Sequence, residues 1–214
     1  MTKKVYVWEI PVRATHWVNV LSIAALSITG LYIANPYMQA SSENSFIMAS
    51  MRFIHFLGSY IFIASILVRM YWWFAGNKYA RLNQFLPVTG ERCRNLAGTA
   101  QFYCFLKDDM PEYAGHTGLA GITYVVLFII FLLEIFTGFA LYSQSHAGGG
   151  LWSIGTWLLS FYSAMGLRLV HHLLMWFIFA FVIFHVYIST HNHLIEKNGL
   201  IMSIFTGYKT VRED

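Results

Sequence analysis

The residues of this sequence best suited to chemistry are histidines inside its last apolar stretch. The run from Leu169 to Ser189 is long and apolar enough to cross a bilayer, yet it contains His171, His172 and His185. Ionisable side chains are costly at that depth and by default indicate a function. His171 and His185 are fourteen residues apart in the sequence. That spacing brings them within about 40° of one helix face and about 21 Å apart along the axis, whereas His172 points about 140° away from His185.

This axial distance requires two separate sites. A metal–nitrogen bond is about 2 Å long, so one metal ion cannot contact both histidines. Two haems, one above the other, would need one axial ligand near each membrane surface. His16 and His55 lie at matching depths on two earlier apolar segments. A lone membrane histidine is more often a hydrogen-bonded core residue, but two depth-matched pairs favour ligation: His16 with His185 inside, and His55 with His171 outside.

Three of these histidines follow an arginine by three residues. Arg13, Arg52 and Arg168 precede His16, His55 and His171 in this way. An arginine at that spacing lies on nearly the same helix face, one turn nearer the membrane surface. Guanidinium groups bind carboxylates through two parallel hydrogen bonds, so these arginines are candidate partners of haem propionates. Ordinary snorkelling at a helix end would explain any single one equally well.

The histidines must be carried by membrane-spanning helices. The chain has 214 residues, of which 57% are hydrophobic and only 11% charged, about half the charged fraction of a soluble domain. Four segments reach spanning length, at about 16–34, 53–74, 118–142 and 169–189. The first apolar run is a full span without a small-residue cleavage site, so we expect no removed signal peptide. We predict an all-α integral membrane four-helix bundle, formed as one domain over residues 1–214 and holding two haems.

Lysine and arginine determine the predicted orientation. Of the 14 basic residues, 12 lie before the first span, at or beyond the end of the second, or after the fourth, and only Arg52 and Arg168 lie on the other side. The positive-inside rule then puts both termini in the cytoplasm. Since the basic residues follow membrane topology instead of forming one groove, nucleic-acid binding has no support. Cys93 and Cys104 match neither a CxxC nor a CxxCH motif, so we expect b-type haem without thioether bonds, and no disulfide.

Two connecting segments carry further candidates. Residues 76–115 form a cytoplasmic loop in which ERCRNLAGTAQFYCFLKDD is consistent with a helix on the membrane surface. Directly after it, His116 and Thr117 could hydrogen-bond a quinone carbonyl near the inner haem, although a solvated helix cap explains them as well. The outer segment 143–167 contains about sixteen apolar residues, too few for a span. We predict an interfacial outer helix there that exposes Trp152, Trp157 and Phe161 to lipid headgroups or a partner.

The spans also contain unusual small and acidic residues. Thr29-Gly30 and Thr137-Gly138 lie at similar outer depths on the first and third spans. Small residues there let a flat ring or a neighbouring backbone approach closely, and plain helix packing is an equally good explanation. Glu134, inside the third span, is predicted to be protonated and to face the bundle interior, with proton relay as the other possibility.

Several motifs together resemble a known family. They are PVRATHW at 11–17, RFIHF at 52–56, RMYWWFAGN at 69–77, TGFALYS at 137–143, HHLLMWFIFAFVIFHVYI at 171–188 and GYK at 207–209. In combination they resemble the b-type cytochrome subunit of membrane-bound nickel–iron hydrogenases, related to the cytochrome subunit of formate dehydrogenase. The resemblance covers nearly the full chain and maps the family's haem ligands onto His16, His55, His171 and His185. The chain adds His172, His191 and His193 to that pattern.

The resemblance implies an electron-transfer function in the bacterial cytoplasmic membrane. Electrons would pass from the iron–sulfur clusters of a hydrogenase small subunit on the outer side, through two b haems, to menaquinone or ubiquinone in the membrane. The chain itself has too few cysteines for a hydrogen-splitting site. Close alternatives are the same role beside formate dehydrogenase or another reductase, or a b561-type quinone oxidoreductase. A distant alternative is a transition-metal transporter, which would need ligands converging in one site.

Overall fold

The computed structural model describes residues 2–37, 46–111, 113–146, 148 and 152–212. Within these, the chain is mostly helical and divides into two compact units. One unit contains residues 8–81, and the other contains residues 1–7 together with residues 82–214. The single domain predicted over residues 1–214 stays a prediction, and each unit is described separately below.

The unit over residues 8–81 is a hairpin of two long helices, α1 (Ile10–Ala34) and α2 (Ile47–Ala75). Pro11 lies in the first turn of α1, where its missing N–H costs no helical hydrogen bond. Midway along the pair, the side chain of Leu26 lies over Gly58, where a Cβ would be in ordinary van der Waals contact with it, at 3.5 Å. His16 lies in the second turn of α1, whereas His55 contacts the far end of that helix. The hairpin therefore carries its two histidines toward opposite ends.

The open end of this hairpin is joined by a carboxylate that sequence reasoning did not single out. Oε2 of Glu9, just before α1, accepts hydrogen bonds from Nε1 of Trp72, at 2.8 Å, and from the backbone N–H of Asn77, at 2.7 Å. Deeper in the hairpin, the Ser65 hydroxyl donates to the carbonyl oxygen of Thr15. These contacts fix the start of α1, and with it His16, against the end of α2.

The second unit contains the other two long helices, α4 (Gly118–Ser143) and α6 (Ala164–Glu196). Two shorter helices, α3 (Gly90–Tyr103) and α5 (Trp152–Leu159), both pack on α4. After α6 come α7 (Leu200–Thr206) and a short strand. Ser163 caps the start of α6 by accepting the N–H of Gly166, and Lys197 ends the helix in the left-handed conformation, with φ of 48°. With 33 residues, α6 is about 50 Å long, well beyond a bilayer core of about 30 Å.

The four predicted spans are confirmed as helices long and apolar enough to cross a membrane. Each helix is longer than its predicted span, because the apolar window marks only the part suited to lipid. The predicted helix in the loop 76–115 is present as α3. The helix predicted in the outer segment is present as α5, where a Cβ on Gly155 would overlap the carbonyl of Phe139 on α4. Trp157 and Phe161 are exposed, and their placement at the outer membrane surface stays a prediction. The Trp152 side chain and parts of both predicted outer segments (residues 38–45, 147 and 149–151) lie outside the described residues.

The all-α prediction missed a small antiparallel ribbon. Strand β1 (Thr2–Tyr6) pairs with β2 (Tyr208–Arg212), in a register that places Lys4 opposite Thr210. The backbone N–H of Val7 extends the pairing by donating to the carbonyl of Gly207 at 2.8 Å. The first and last described residues of the chain are therefore neighbours.

Candidate functional site

His55 is held by the threonine of the first Thr-Gly pair. Nδ1 of His55 lies 2.9 Å from Oγ1 of Thr29, and that hydroxyl donates its own proton to the carbonyl of Ala25, at 2.7 Å. Because a hydroxyl has only one proton, the threonine oxygen must accept the hydrogen bond from His55. In this arrangement His55 is protonated at Nδ1, so Nε2 is the ring nitrogen that carries the lone pair.

The same arrangement occurs around His171 in the other unit. Nδ1 of His171 lies 3.0 Å from Oγ1 of Thr137, whose proton goes to the carbonyl of Leu133 at 2.8 Å. Because the Thr137 hydroxyl proton goes to Leu133, its oxygen accepts from His171. The imidazole hydrogen is therefore on Nδ1, and Nε2 carries the lone pair. A second oxygen is close by, because Oε2 of Glu134 lies 3.4 Å from the same Nδ1. The prediction that Glu134 faces the bundle interior fits this contact.

His185 has a longer contact of the same kind. The hydroxyl of Tyr124 on α4 lies 3.5 Å from Nδ1 of His185, and the imidazole stacks on Phe181 with ring centroids 5.5 Å apart. His16, on α1, has its ring edge-on to Trp17, with centroids 5.1 Å apart. Tyr124 was missed by sequence reasoning, and its signal was a phenolic hydroxyl inside an apolar span, a group that usually finds a partner when buried.

These side chains fit haem iron. A histidine that binds iron through one ring nitrogen almost always donates the other N–H to an oxygen, and this fixes the tautomer and the ring plane. His55 and His171 each have that oxygen at hydrogen-bond distance on the neighbouring helix, and His185 has one slightly farther away. The glycines support the same conclusion, because a Cβ on Gly30 or Gly138 would lie 3.3 Å from Cε1 of His55 or His171, respectively.

The three arginines differ in exposure. Arg52 and Arg168, one turn before His55 and His171, are exposed, and Arg13 is partly buried. Exposed guanidinium groups one turn from a candidate ligand can reach a carboxylate at the surface end of a haem. Their assignment to propionates stays a prediction.

His116 lies in a segment that a buried arginine holds in place. The side chain of Arg92 on α3 is only 4% exposed and donates to the carbonyl of His116 at 2.7 Å and to that of Gln84. The ring of Tyr113 lies under its guanidinium carbon, 4.9 Å from the ring centre. This buried cation, which sequence reasoning did not identify, fixes the loop that begins α4.

The His116 ring points toward the rings of α4 and the preceding loop. Its centroid lies 4.8 Å from that of Tyr124 and 5.2 Å from that of Phe85. Thr117 caps α4 by accepting the N–H of Ala120, which confirms the helix-cap alternative while leaving the Thr117 hydroxyl proton free for other use. The structure thus brings His116, Tyr124 and His185 together as a continuous row.

Fold and histidine chemistry together define the class. Four helices suited to crossing a membrane carry buried or half-buried histidines, two of which have their Nδ1 atoms against threonine oxygens, an arrangement that fits a membrane cytochrome with b-type haem. The chain belongs to the prokaryotic cytochrome b561 family, whose model matches residues 7–207.

Relatives agree with this membership over nearly the whole chain. A protein of Cupriavidus necator named "Probable Ni/Fe-hydrogenase B-type cytochrome subunit" is 36% identical over 220 residues, covering 99% of this chain and 89% of the relative. One of the same name from Rhodobacter capsulatus is 33% identical, covering 98% of this chain and 83% of the relative. The "Probable Ni/Fe-hydrogenase 1 B-type cytochrome subunit" of Escherichia coli is 32% identical, covering 96% and 90%. The family resemblance drawn from the motifs is confirmed, and the chain is a transmembrane, haem-binding b-type cytochrome of electron transport.

Proposed function

We propose that this chain is the membrane anchor and electron-transfer subunit that passes electrons from a periplasmic nickel–iron hydrogenase through two b haems to the quinone pool. The names of its relatives support the hydrogenase partner. The observation that carries the electron-transfer role is the pair of imidazoles, His55 and His171, whose Nδ1 atoms each lie at hydrogen-bond distance from a threonine oxygen on the neighbouring helix, the contact that an iron-ligating histidine makes with its other ring nitrogen.

Four histidines are the axial ligands in this proposal. His16 and His185 belong to the haem near the inner surface, and His55 and His171 to the haem near the outer surface. Bound haem supplies an iron centre that accepts and releases one electron at a time. The protein supplies the ligands, the hydroxyl groups that orient them and, through Arg13, Arg52 and Arg168, cations for the propionates.

The quinone is bound beside the inner haem, by His116 and Thr117. Tyr124 joins this proposed site, because its ring lies against His116 and its hydroxyl near Nδ1 of His185. An imidazole N–H, a threonine O–H and the free backbone N–H groups of the first turn of α4 are donors suited to a quinone carbonyl. Protons for the reduced quinone come from the cytoplasmic side, so reduction there separates charge across the membrane.

In the proposed membrane orientation, both termini lie in the cytoplasm and the electron donor lies on the outer side. Pairing of β1 with β2 supports a common side for the two termini, and the distribution of lysine and arginine supports the cytoplasmic side. The hydrogenase small subunit, which carries the iron–sulfur clusters, docks on the outer segment 143–167 and on the loop before Arg52. Trp157 and Phe161 are exposed there. If cross-linking found the partner only on the loop 76–115, that result would contradict the proposed direction of electron flow.

Two measurements separate this function from its alternatives. An absorption spectrum of the purified, reduced protein distinguishes a bis-histidine cytochrome from a colourless transition-metal transporter. Co-purification then identifies the partner as a nickel–iron hydrogenase, as formate dehydrogenase or as another reductase; a chain that reduces quinone with no partner subunit would be a free-standing b561-type oxidoreductase. A reduced spectrum without haem bands would overturn the proposal as a whole.

A further inference from the structure

Two Thr-Gly pairs contact their histidines in nearly the same way. Thr29-Gly30 on α1 contacts His55 on α2, and Thr137-Gly138 on α4 contacts His171 on α6. The Oγ1–Nδ1 distances are 2.9 and 3.0 Å, and each threonine donates to the carbonyl four residues earlier, at 2.7 and 2.8 Å. Equal geometry in two separate units indicates a shared requirement instead of incidental packing.

Glycine supplies the second half of the contact. A Cβ on Gly30 would lie 3.3 Å from Cε1 of His55, and a Cβ on Gly138 would lie 3.3 Å from Cε1 of His171. Such a contact is tighter than ordinary van der Waals packing, so the ring would have to shift by a few tenths of an ångström to admit a Cβ. The imidazole thus has the hydroxyl beside Nδ1 and the glycine beside Cε1.

We propose that Thr29-Gly30 and Thr137-Gly138 are positioning pairs that set the tautomer, the ring plane and the donor strength of His55 and His171. The proposal rests on the assignment of these histidines as ligands of the outer haem. A threonine oxygen that accepts the Nδ1–H bond makes the imidazole a more basic ligand. A more basic ligand favours the oxidised iron, so these hydroxyls hold the midpoint potential of the outer haem down.

The two pairs differ at one neighbouring residue. Glu134 precedes Thr137 by three residues, and its carboxyl oxygen lies 3.4 Å from Nδ1 of His171. The corresponding residue before Thr29 is Leu26, which offers no acceptor. Loss of the Thr137 hydroxyl therefore leaves His171 this second oxygen within reach.

The test compares Thr29→Val and Thr137→Val with Thr29→Ser and Thr137→Ser in the purified cytochrome. Valine keeps the branched shape and removes the hydroxyl, while serine restores it. Haem content, the midpoint potential of each haem and the low-spin electron paramagnetic resonance signal are measured, and the outer haem is defined as the one lost in His55→Ala. Thr29→Val should raise the midpoint potential of the outer haem by up to about 59 mV, which for one electron is a tenfold change in the redox equilibrium. Alternatively, it should weaken haem binding about 10–100-fold.

Thr137→Val should have a smaller effect alone than in the double variant with Glu134→Leu, because Glu134 is a second oxygen within reach of His171. Both serine variants should behave as the unaltered protein. Gly30→Ala and Gly138→Ala should change the resonance signal of the outer haem, because the added methyl turns the ring. Thr123→Val is the matched control: Thr123 makes the same hydrogen bond within α4, to Leu119 at 2.9 Å, but is exposed. Gly58→Ala is the control for the two glycine variants, because its added methyl group would be in ordinary van der Waals contact with Leu26.

The outcomes separate this inference from the proposed function. If His55→Ala removes a haem but neither valine variant alters potential or haem content, the ligands stand and the positioning role is overturned. Loss of haem in the serine variants as well as the valine variants would also overturn it, because the hydroxyl would then not be the cause. If His55→Ala retains both haems, the ligand assignment itself fails.

Discussion

Tyr124 and His185 meet between α4 and α6, with the phenolic hydroxyl 3.5 Å from Nδ1 of the imidazole. This is the long counterpart of the threonine contacts at His55 and His171. Because Tyr124 also lies against the His116 ring, it links a proposed haem ligand to the proposed quinone site.

Tyr124→Phe should keep both haems and raise the midpoint potential of the inner haem slightly. The physical reason is loss of the phenolic oxygen beside Nδ1 of His185, and the effect should be smaller than that of Thr29→Val because the contact is longer. Potentiometric titration of the haem absorption bands measures it. Tyr187→Phe, an exposed tyrosine on the same helix as His185, is the control. An unchanged inner potential in Tyr124→Phe would mean that the hydroxyl does not act on His185.

Alanine substitutions should divide the four histidines into two pairs. His55→Ala and His171→Ala should each remove the outer haem, while His16→Ala and His185→Ala should each remove the inner one, because a haem that loses one of two axial ligands binds weakly. A pyridine haemochrome assay should give two haems per unaltered chain and one in each variant. His172→Ala is the comparison, since that ring points away from His185 on the helix, and it should retain two. One haem in the intact protein, or two in His185→Ala, would contradict the pairing.

His116→Leu should slow quinone reduction while both haem spectra stay intact. Leucine fills a similar volume between Phe85 and Tyr124 but removes the hydrogen-bond donor proposed for the quinone. The haems should still be reduced by hydrogen in the complex with the hydrogenase, so the defect should be confined to the final transfer. Rates of quinone reduction are measured beside rates of haem reduction. Unchanged quinone turnover would leave His116 as part of the helix cap alone, and an inhibitor bound beside His55 would move the site to the outer face.

Glu9→Ala should destabilise the hairpin of α1 and α2. The substitution leaves the indole N–H of Trp72 and the backbone N–H of Asn77 without their shared acceptor, and each lost hydrogen bond to a charged group costs about 1.5–3 kcal/mol. Thermal denaturation of the detergent-solubilised protein should show a lower midpoint and earlier loss of the haem bound by His16. Glu9→Gln keeps an oxygen acceptor, so its denaturation midpoint should lie between those of Glu9→Ala and the unaltered protein. Glu91, an exposed acid in the first turn of α3, provides the control substitution, Glu91→Ala, with little expected change.

The sequence alone determined the spans and the depths of the histidines, because both depend on local properties. Apolar length identifies a membrane helix, and a period of 3.6 residues fixes which side chains share a face. The depth match of His16 with His185, and of His55 with His171, was predicted in this way and stays a prediction. The Thr-Gly pairs were also recognised in the sequence, but the residues that they contact could not be predicted. Close approach of a flat ring and plain helix packing remained equally good explanations of the pairs.

Tertiary structure decided which groups touch, because those contacts join residues far apart in the sequence. Thr29 and His55 are 26 residues apart, and Thr137 and His171 are 34, so their meeting depends on how two helices pack and not on helical periodicity. The same holds for Glu9 with Trp72, 63 residues away, and for Arg92, whose buried charge is tolerated only because distant carbonyls accept from it. The β1–β2 ribbon is the extreme case. Its two five-residue strands come from opposite ends of the chain, and neither carries a pattern strong enough to predict a strand until the partner lies beside it.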